Sequence, residues 1–156
     1  MITLRKLTDG DKGQFNKLIV SEAFDYEAFL NMGWCVNQII NQLNKNTNFS
    51  YGVFDNRSLV SFILGDLLNI EKISEYEILL IYVVKKYRNK GIARKLINKI
   101  EEKNSCLKKI YLEVAKNNHQ AMLFYKKMNF KKINIRKNYF CINGKKIDAL
   151  QMAKTY

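Results

Sequence analysis

From Tyr76 to Ala93 the chain reads Tyr-Glu-Ile-Leu-Leu-Ile-Tyr-Val-Val-Lys-Lys-Tyr-Arg-Asn-Lys-Gly-Ile-Ala. Ile78, Leu79, Leu80, Ile81, Val83 and Val84 make a nearly continuous apolar run, which predicts a fully buried strand at the centre of a sheet. Beyond it, Ile92, Leu96, Ile97 and Ile100 recur at helical spacing with Lys and Arg on the remaining surface, so a helix starts near Gly91. Arg88-Asn89-Lys90-Gly91-Ile92-Ala93 joins the two. The first N–H groups of a helix have no partner inside it and face whatever precedes them, a geometry that suits a pyrophosphate. Gly91 removes bulk where a backbone must approach a ligand, Ala93 permits tight packing, and Arg88, Lys90 and Arg94 add positive charge. On these residues alone an ordinary turn with a solvated basic face stays open. A nucleotide-hydrolase loop is excluded, because no Gly-Lys-Ser or Gly-Lys-Thr is present, and so is a three-glycine dinucleotide loop.

Working outward, Ile110, Leu112 and Val114 alternate with Tyr111 and Glu113 as in a short two-faced strand. Asn117 or Asn118 then caps a helix through Ala121, Met122, Phe124, Tyr125 and Met128, and strands near 132–140 and 146–152 turn at Asn143-Gly144. Upstream, 49–54 and 59–64 form an antiparallel hairpin around Asp55-Asn56-Arg57-Ser58. The segment from Asp25 to Leu43 is helical, with Gly33 as a break between two shorter helices. Ile2 to Arg5 alternates as a half-buried strand, and Thr8 or Asp9 caps a helix carrying Phe15, Leu18 and Ile19. A single domain over residues 1–156 results, a mixed sheet flanked by helices.

Apolar residues make up 47% of the 156, enough for a core, and no run approaches the ~20 residues of a membrane span. With no signal segment, a soluble cytoplasmic protein is expected, and no membrane partner. Cys35, Cys106 and Cys141 are far apart and lack metal-ligand spacing, so reduced, buried thiols and no metal are expected. Lys and Arg number 27 against 14 Asp and Glu, a formal charge of +13 that favours anionic partners or reflects drift toward lysine.

Tyr87-Arg88-Asn89-Lys90-Gly91-Ile92-Ala93 resembles the GNAT acetyltransferase pattern of Arg or Gln, two residues, Gly, one residue, Gly or Ala. Leu112-Glu113-Val114, Asn118, Leu123 to Phe130, Ile135 to Tyr139 and Asp148-Ala149 are similar to the RimI-type ribosomal-protein alanine N-acetyltransferases, a likeness covering about 75–153. The resemblance implies the α/β (α+β mixed) GNAT fold, with a central mixed, mostly antiparallel twisted sheet flanked by helices. It implies acetyl transfer from acetyl-coenzyme A to an amine, above all the N-terminal α-amine of a protein such as a ribosomal one. Ile81, Tyr82 and Val83 would pair with the pantetheine arm, Arg88, Asn89, Lys90, Gly91, Ile92, Ala93 and Arg94 would hold the pyrophosphate, and Asn118 would touch the cofactor. Backbone N–H groups near Val83 would stabilise the oxyanion. Residues 25–48 depart from the family pattern, leaving the acceptor open.

Direct transfer to an amine asks for a base and for an acid toward the departing thiolate. Glu113, on the polar side of its strand, suits the base, directly or through water, although an exposed strand glutamate paired with a nearby lysine has the same pattern. Tyr125, seven residues past Asn118 on one helix face, suits the acid, and also suits a core tyrosine. Tyr139 matches the position at which related enzymes hold the acceptor backbone, and His119, at a helix start, takes no role. A lysine or small-amine acceptor, and a non-catalytic module binding coenzyme A or nucleic acid through Lys85 to Lys99, remain alternatives. A monomer is the default.

Overall fold

The computed structural model describes residues 1–156, the side chain of Asn31 apart. The strands are β1 (Ile2–Leu7), β2 (Ser50–Asp55), β3 (Ser58–Ile70), β4 (Ile73–Val83), β5 (Leu107–Ala115), β6 (Lys131–Ile142) and β7 (Lys145–Thr155). The helices are α1 (Lys12–Ile19), α2 (Tyr26–Asn31), α3 (Val36–Leu43), α4 (Ile92–Glu102) and α5 (His119–Lys127). One seven-stranded sheet has the order β1-β2-β3-β4-β5-β7-β6, in which β4 and β5 are the parallel pair and the other neighbours are antiparallel. The helix α4 connects the parallel strands, as such a crossover requires.

Local chemistry explains the turns. Asn56 and Arg57, then Asn143 and Gly144, take positive φ at both central positions of two-residue hairpins, the geometry that matches strand twist. Gly33, at φ 76°, parts α2 from α3 as the sequence suggests. Asp25 caps α2 by accepting from Ala28 N at 3.1 Å, and Asn118 caps α5 by accepting from Ala121 N at 3.2 Å.

The sheet is covered on both faces. Tyr76, Ile78, Ile110, Leu112 and Met152 pack with Ile92, Leu96, Ile97 and Ile100 of α4 and Tyr125 of α5. On the opposite face Leu7, Phe62, Leu80 and Tyr82 pack with Phe15 of α1, Phe29 of α2 and Ile39 of α3. Phe62, fully buried, lies between Phe15 and Tyr82, and burial of such a ring is worth about 1.5–3 kcal/mol. The helix α3 is tied down by Asp66 of β3, which accepts from Gln42 Nε2 and from Thr47 Oγ1, both at 2.7 Å, with Lys45 Nζ at 3.4 Å.

The strand β4 is central, as expected, but not fully buried: its residues alternate between buried and half-buried from Ser74 to Val83. It also changes face part-way. Leu64 pairs with Leu80 and Gly65 with Ile78, which leaves Leu79 as a bulge. Before the bulge Tyr76 and Ile78 face α4. After it Ile81 and Val83 continue on that face, while Leu80, Tyr82 and Val84 join the α1–α3 side. Gly65 permits this arrangement by close approach, since a Cβ there would lie 2.1 Å from Tyr76 Oη and 2.5 Å from the Glu77 carbonyl oxygen. The three cysteines are exposed rather than buried. Cys106 lies in the turn before β5, Cys35 before α3 and Cys141 near the end of the edge strand β6, positions that the sequence pattern does not distinguish from core.

Gly65→Ala must displace the Tyr76 ring or the β4 backbone, and is expected to lower unfolding free energy by about 1–3 kcal/mol in denaturant titration. Asp66 supplies a second test. Burial pushes its carboxyl up, but the hydrogen bonds from Thr47 and Gln42, with Lys45 nearby, outweigh that and hold it below the ordinary range. A depressed folded value gives stability that is present above the ordinary carboxylate range and lost as pH falls through the folded value. Thr47→Val should therefore cost about 1–3 kcal/mol at neutral pH and progressively less toward pH ~3, measured by unfolding at both pH values.

Candidate active site

Strands β4 and β5 pair from Ser74↔Leu107 to Ile78↔Leu112, with one register shift between Ser74 and Glu75, and no pairing between them continues beyond that point among the described residues. β4 runs on to Val83 and β5 to Ala115, so the bulge at Leu79 coincides with a divergence of the two strands. A cleft of about 550 Å³ opens in the gap. Its walls come from both faces of the sheet: Met32, Gly33 and Trp34 between α2 and α3 on one side, Ala121 and Tyr125 of α5 on the other, and Tyr139, Phe140 and Cys141 of β6 at the rim. It is thus a slot lined from both faces of the sheet. A larger cleft of about 660 Å³ between α1 and the β2–β3 hairpin holds one carboxylate, Asp55, which already accepts from Tyr87 Oη at 2.7 Å.

Glu113 reaches the slot from β5. Its side chain is 13% exposed, and Oε1 accepts from Arg136 Nη1 of β6 at 2.6 Å and from Gln151 Nε2 of β7 at 2.9 Å. The glutamate is therefore both in the cleft and ion-paired, with an arginine rather than a lysine. Arg136 in turn covers the Tyr139 ring at 4.2 Å. The adjacent Glu113 carboxylate, and after it burial, push the Tyr139 phenol above its ordinary value. Tyr125 is buried and lines the slot, and desolvation raises its phenol far above the usual range, so that it keeps its proton at neutral pH.

Glu77 was not foreseen. It lies on the cleft side of β4, in register with Tyr111, whose Oη donates to Glu77 Oε2 at 3.4 Å. Burial pushes its carboxyl up, the Tyr111 hydrogen bond opposes this, and the charges of Asp66 and Glu113 add to the rise. The signal was a carboxylate inside a run otherwise apolar, since an unpaired acid in a central strand calls for a reason.

Of the residues expected to act, Ile81, Glu113, Asn118, Tyr125 and Tyr139 meet in the slot. Tyr82 and Val83 lie beyond its lining. The Tyr82 ring is buried among the α1–α3 side chains and its Oη accepts from Asp25 N at 2.8 Å, so only its backbone could serve a ligand. The Val83 carbonyl oxygen accepts from Arg88 Nε at 2.9 Å. The part of β4 bordering the slot is Glu77 to Ile81, with the bulge at Leu79 in its middle.

The loop from Arg88 to Arg94 follows at the C-terminal end of β4. Gly91 caps α4 at φ 73°, where a side chain is strained and a Cβ would meet no atom within 4 Å. The first main-chain bond across the helix start runs from Lys95 N to Gly91 O, so the amides of Ile92, Ala93 and Arg94 precede it and are free to bind an anion. Asn89, at φ 60°, sharpens the same turn, and Lys90 Nζ lies 5.6 Å above the Tyr87 ring. Ile92 is buried and contributes its amide alone. Arg88 is engaged within the protein: its Nη2 bonds Asp25 Oδ2 at 3.1 Å, so this guanidinium braces the loop against the start of α2. The open space at Gly91, the free amides and the slot together fit a long thiol cofactor with a pyrophosphate.

Comparison with known proteins agrees with this geometry. The family model described as "Acetyltransferase (GNAT) family" matches residues 12–130. A protein of Saccharolobus solfataricus named N-alpha-acetyltransferase is 39% identical over 77 residues, 47% of this chain and 44% of that protein, so the match spans less than half of the relative. NAA60 of Arabidopsis thaliana, solved with a bisubstrate analogue, superposes with a TM-score of 0.76 at 20% identity, covering 99% of this chain and 98% of that one. The ribosomal-protein alanine N-acetyltransferase of Escherichia coli superposes with a TM-score of 0.77 at 20% identity, covering 99% and 94%. With a strand-splayed slot, a free helix N-terminus beside it and a family match over most of its length, the chain belongs to the acetyltransferase (GNAT) family.

Proposed function

We propose that this domain transfers an acetyl group from acetyl-coenzyme A directly to the N-terminal α-amine of a polypeptide while both are bound. The observation that carries this reading is the convergence of Glu77, Glu113 and Tyr125 on one slot lined from both faces of the sheet. Acetyl-coenzyme A supplies the activated acyl group. The amides of Ile92, Ala93 and Arg94, with Lys90, would hold its pyrophosphate, and the freed β4 backbone from Leu79 to Ile81 would run beside its pantetheine arm. The α-amine reading is supported by the names of the Saccharolobus solfataricus and Escherichia coli relatives and by the bisubstrate complex of NAA60.

In this reading the two carboxylates divide the work. Glu113, engaged by Arg136 and Gln151, adds negative charge that draws an ammonium into the slot. Glu77 is contacted by no cation within ion-pair distance among the described residues, and desolvation makes it a stronger base, acting on the amine directly or through water. Tyr125, kept protonated by burial, donates its proton to the departing thiolate sulfur. Tyr139 and Trp34 flank the acceptor path.

Thiol release from acetyl-coenzyme A with N-terminal peptides, lysine peptides and polyamines tests the reading: turnover is expected with N-terminal peptides first, and no release with any acceptor would defeat it. Tyr125→Phe and Glu77→Gln should each lower kcat by about 10²–10³-fold while leaving the affinity for coenzyme A within about threefold. The base must be ionised, so kcat/KM should rise with pH through the elevated Glu77 value, above the ordinary carboxylate range, and Glu77→Gln should remove that limb. Its persistence in Glu77→Gln and loss in Glu113→Gln would assign the proton to Glu113 instead.

A further inference from the structure

The slot and the hairpin that borders it carry opposite charge. Inside are Glu77 and Glu113, and the β6–β7 hairpin, which lends Tyr139, Phe140 and Cys141 to the lining, carries Lys131, Lys132, Arg136, Lys137, Lys145 and Lys146 around them with no acid between 131 and 146. All six are exposed, and among the described residues Arg136 alone is ion-paired. Lys146 pairs in register with Cys141, one strand spacing from the lining. Asp148, the next acid along β7, is occupied in accepting from Asn138 N at 2.9 Å, which fixes the bulge between Arg136 and Phe140.

We infer that the acceptor is an acidic polypeptide, whose N-terminal ammonium enters between Glu77 and Glu113 while Asp or Glu side chains a few residues along meet the lysines of the β6–β7 hairpin. This rests on the acetyl-transfer reading and narrows its substrate class. A chain with a cationic amine followed by acids matches both halves of the charge pattern. A basic polypeptide matches only the slot and is repelled by the hairpin, and a second copy of this +13 chain is repelled by the whole surface. The same inversion accounts for unpaired lysines on an edge strand: they also keep β6 from pairing with another sheet edge, but that alone does not require them beside a negative slot.

Steady-state thiol release with three peptides that share their first two residues and continue with acidic, neutral or basic residues tests the inference. At low salt KM should be about tenfold or more lower for the acidic peptide than for the neutral one, with similar kcat, and the two should converge near 0.5 M salt as surface charges are screened. The double variant Lys137→Glu, Lys146→Glu should abolish the preference while turning over the neutral peptide as the unaltered enzyme does, which also shows that it folds. Equal KM for acidic and neutral peptides would overturn the inference and leave acetyl transfer standing, whereas absence of turnover with all three would defeat acetyl transfer itself. Short single-stranded RNA added to the neutral-peptide assay is a further arm. RNA that binds the hairpin, together with no preference among peptides, would assign the surface to nucleic acid and overturn the acidic-acceptor inference.

Discussion

The structure depends on the contact between Gly65 and Tyr76. Because β3 has no Cβ at that point, the tyrosine ring occupies the space a side chain would fill, and its Oη donates to the Phe49 carbonyl oxygen at 2.9 Å. The β3–β4 ladder then slips by one residue at Leu79. A bulge bends a strand and strengthens its twist, and here the bend falls where β4 leaves its parallel partner. Two neighbouring strands that stay hydrogen-bonded leave no room for a ligand. Two that part within a sheet expose main-chain donors and acceptors in a place already walled by helices. The slot is therefore a consequence of how β3 and β4 pack, and the acid and base groups are side chains that happen to border it.

Once the strands part, charge decides what each group does. Glu113 and Glu77 stand on facing strands, but Arg136 and Gln151 hold one of them while only a long hydrogen bond from Tyr111 touches the other. Burial raises the Glu77 carboxyl, whereas Glu113 is held in an ion pair, so two glutamates in one cleft meet different surroundings. The same separation applies to arginines. Arg88 falls in the motif that the sequence associates with phosphate, yet Asp25 and the Val83 carbonyl engage it, while the amides of Ile92, Ala93 and Arg94 carry no such partner.

Much of this was legible in the sequence where the information is local. The Asn56-Arg57 and Asn143-Gly144 turns, the break at Gly33, the cap at Asn118 and the start of α4 at Gly91 all depend on a few adjacent residues, and each is where spacing places it. What escaped is non-local. A bulge in a run of Ile and Leu changes which residue faces which helix without altering the pattern of the run, so β4 reads as uniformly buried. Arg88 meets Asp25 across 63 positions and Arg136 meets Glu113 across 23, and no periodicity announces either pair. Glu77 was visible as an anomaly, a carboxylate in an apolar strand, but its meaning required knowing that β5 departs just beyond it. The cysteines were misplaced because a lone Cys in an edge strand or turn looks the same in sequence as one in a core.

The net charge of +13 gains a meaning from position that it lacks as a sum. Spread evenly, an excess of lysine would only favour anions in general, which describes a phosphorylated cofactor and a nucleic acid equally well. It is not even. Carboxylates line the slot, lysines and an arginine line the hairpin at its mouth, and further basic residues follow β4 toward α4. Basic charge at the α4 end stands beside the free amides of Ile92, Ala93 and Arg94. The hairpin supplies Tyr139, Phe140 and Cys141 to the slot, which Met32 to Trp34 also line. A feature that served only solubility would have no reason to concentrate there.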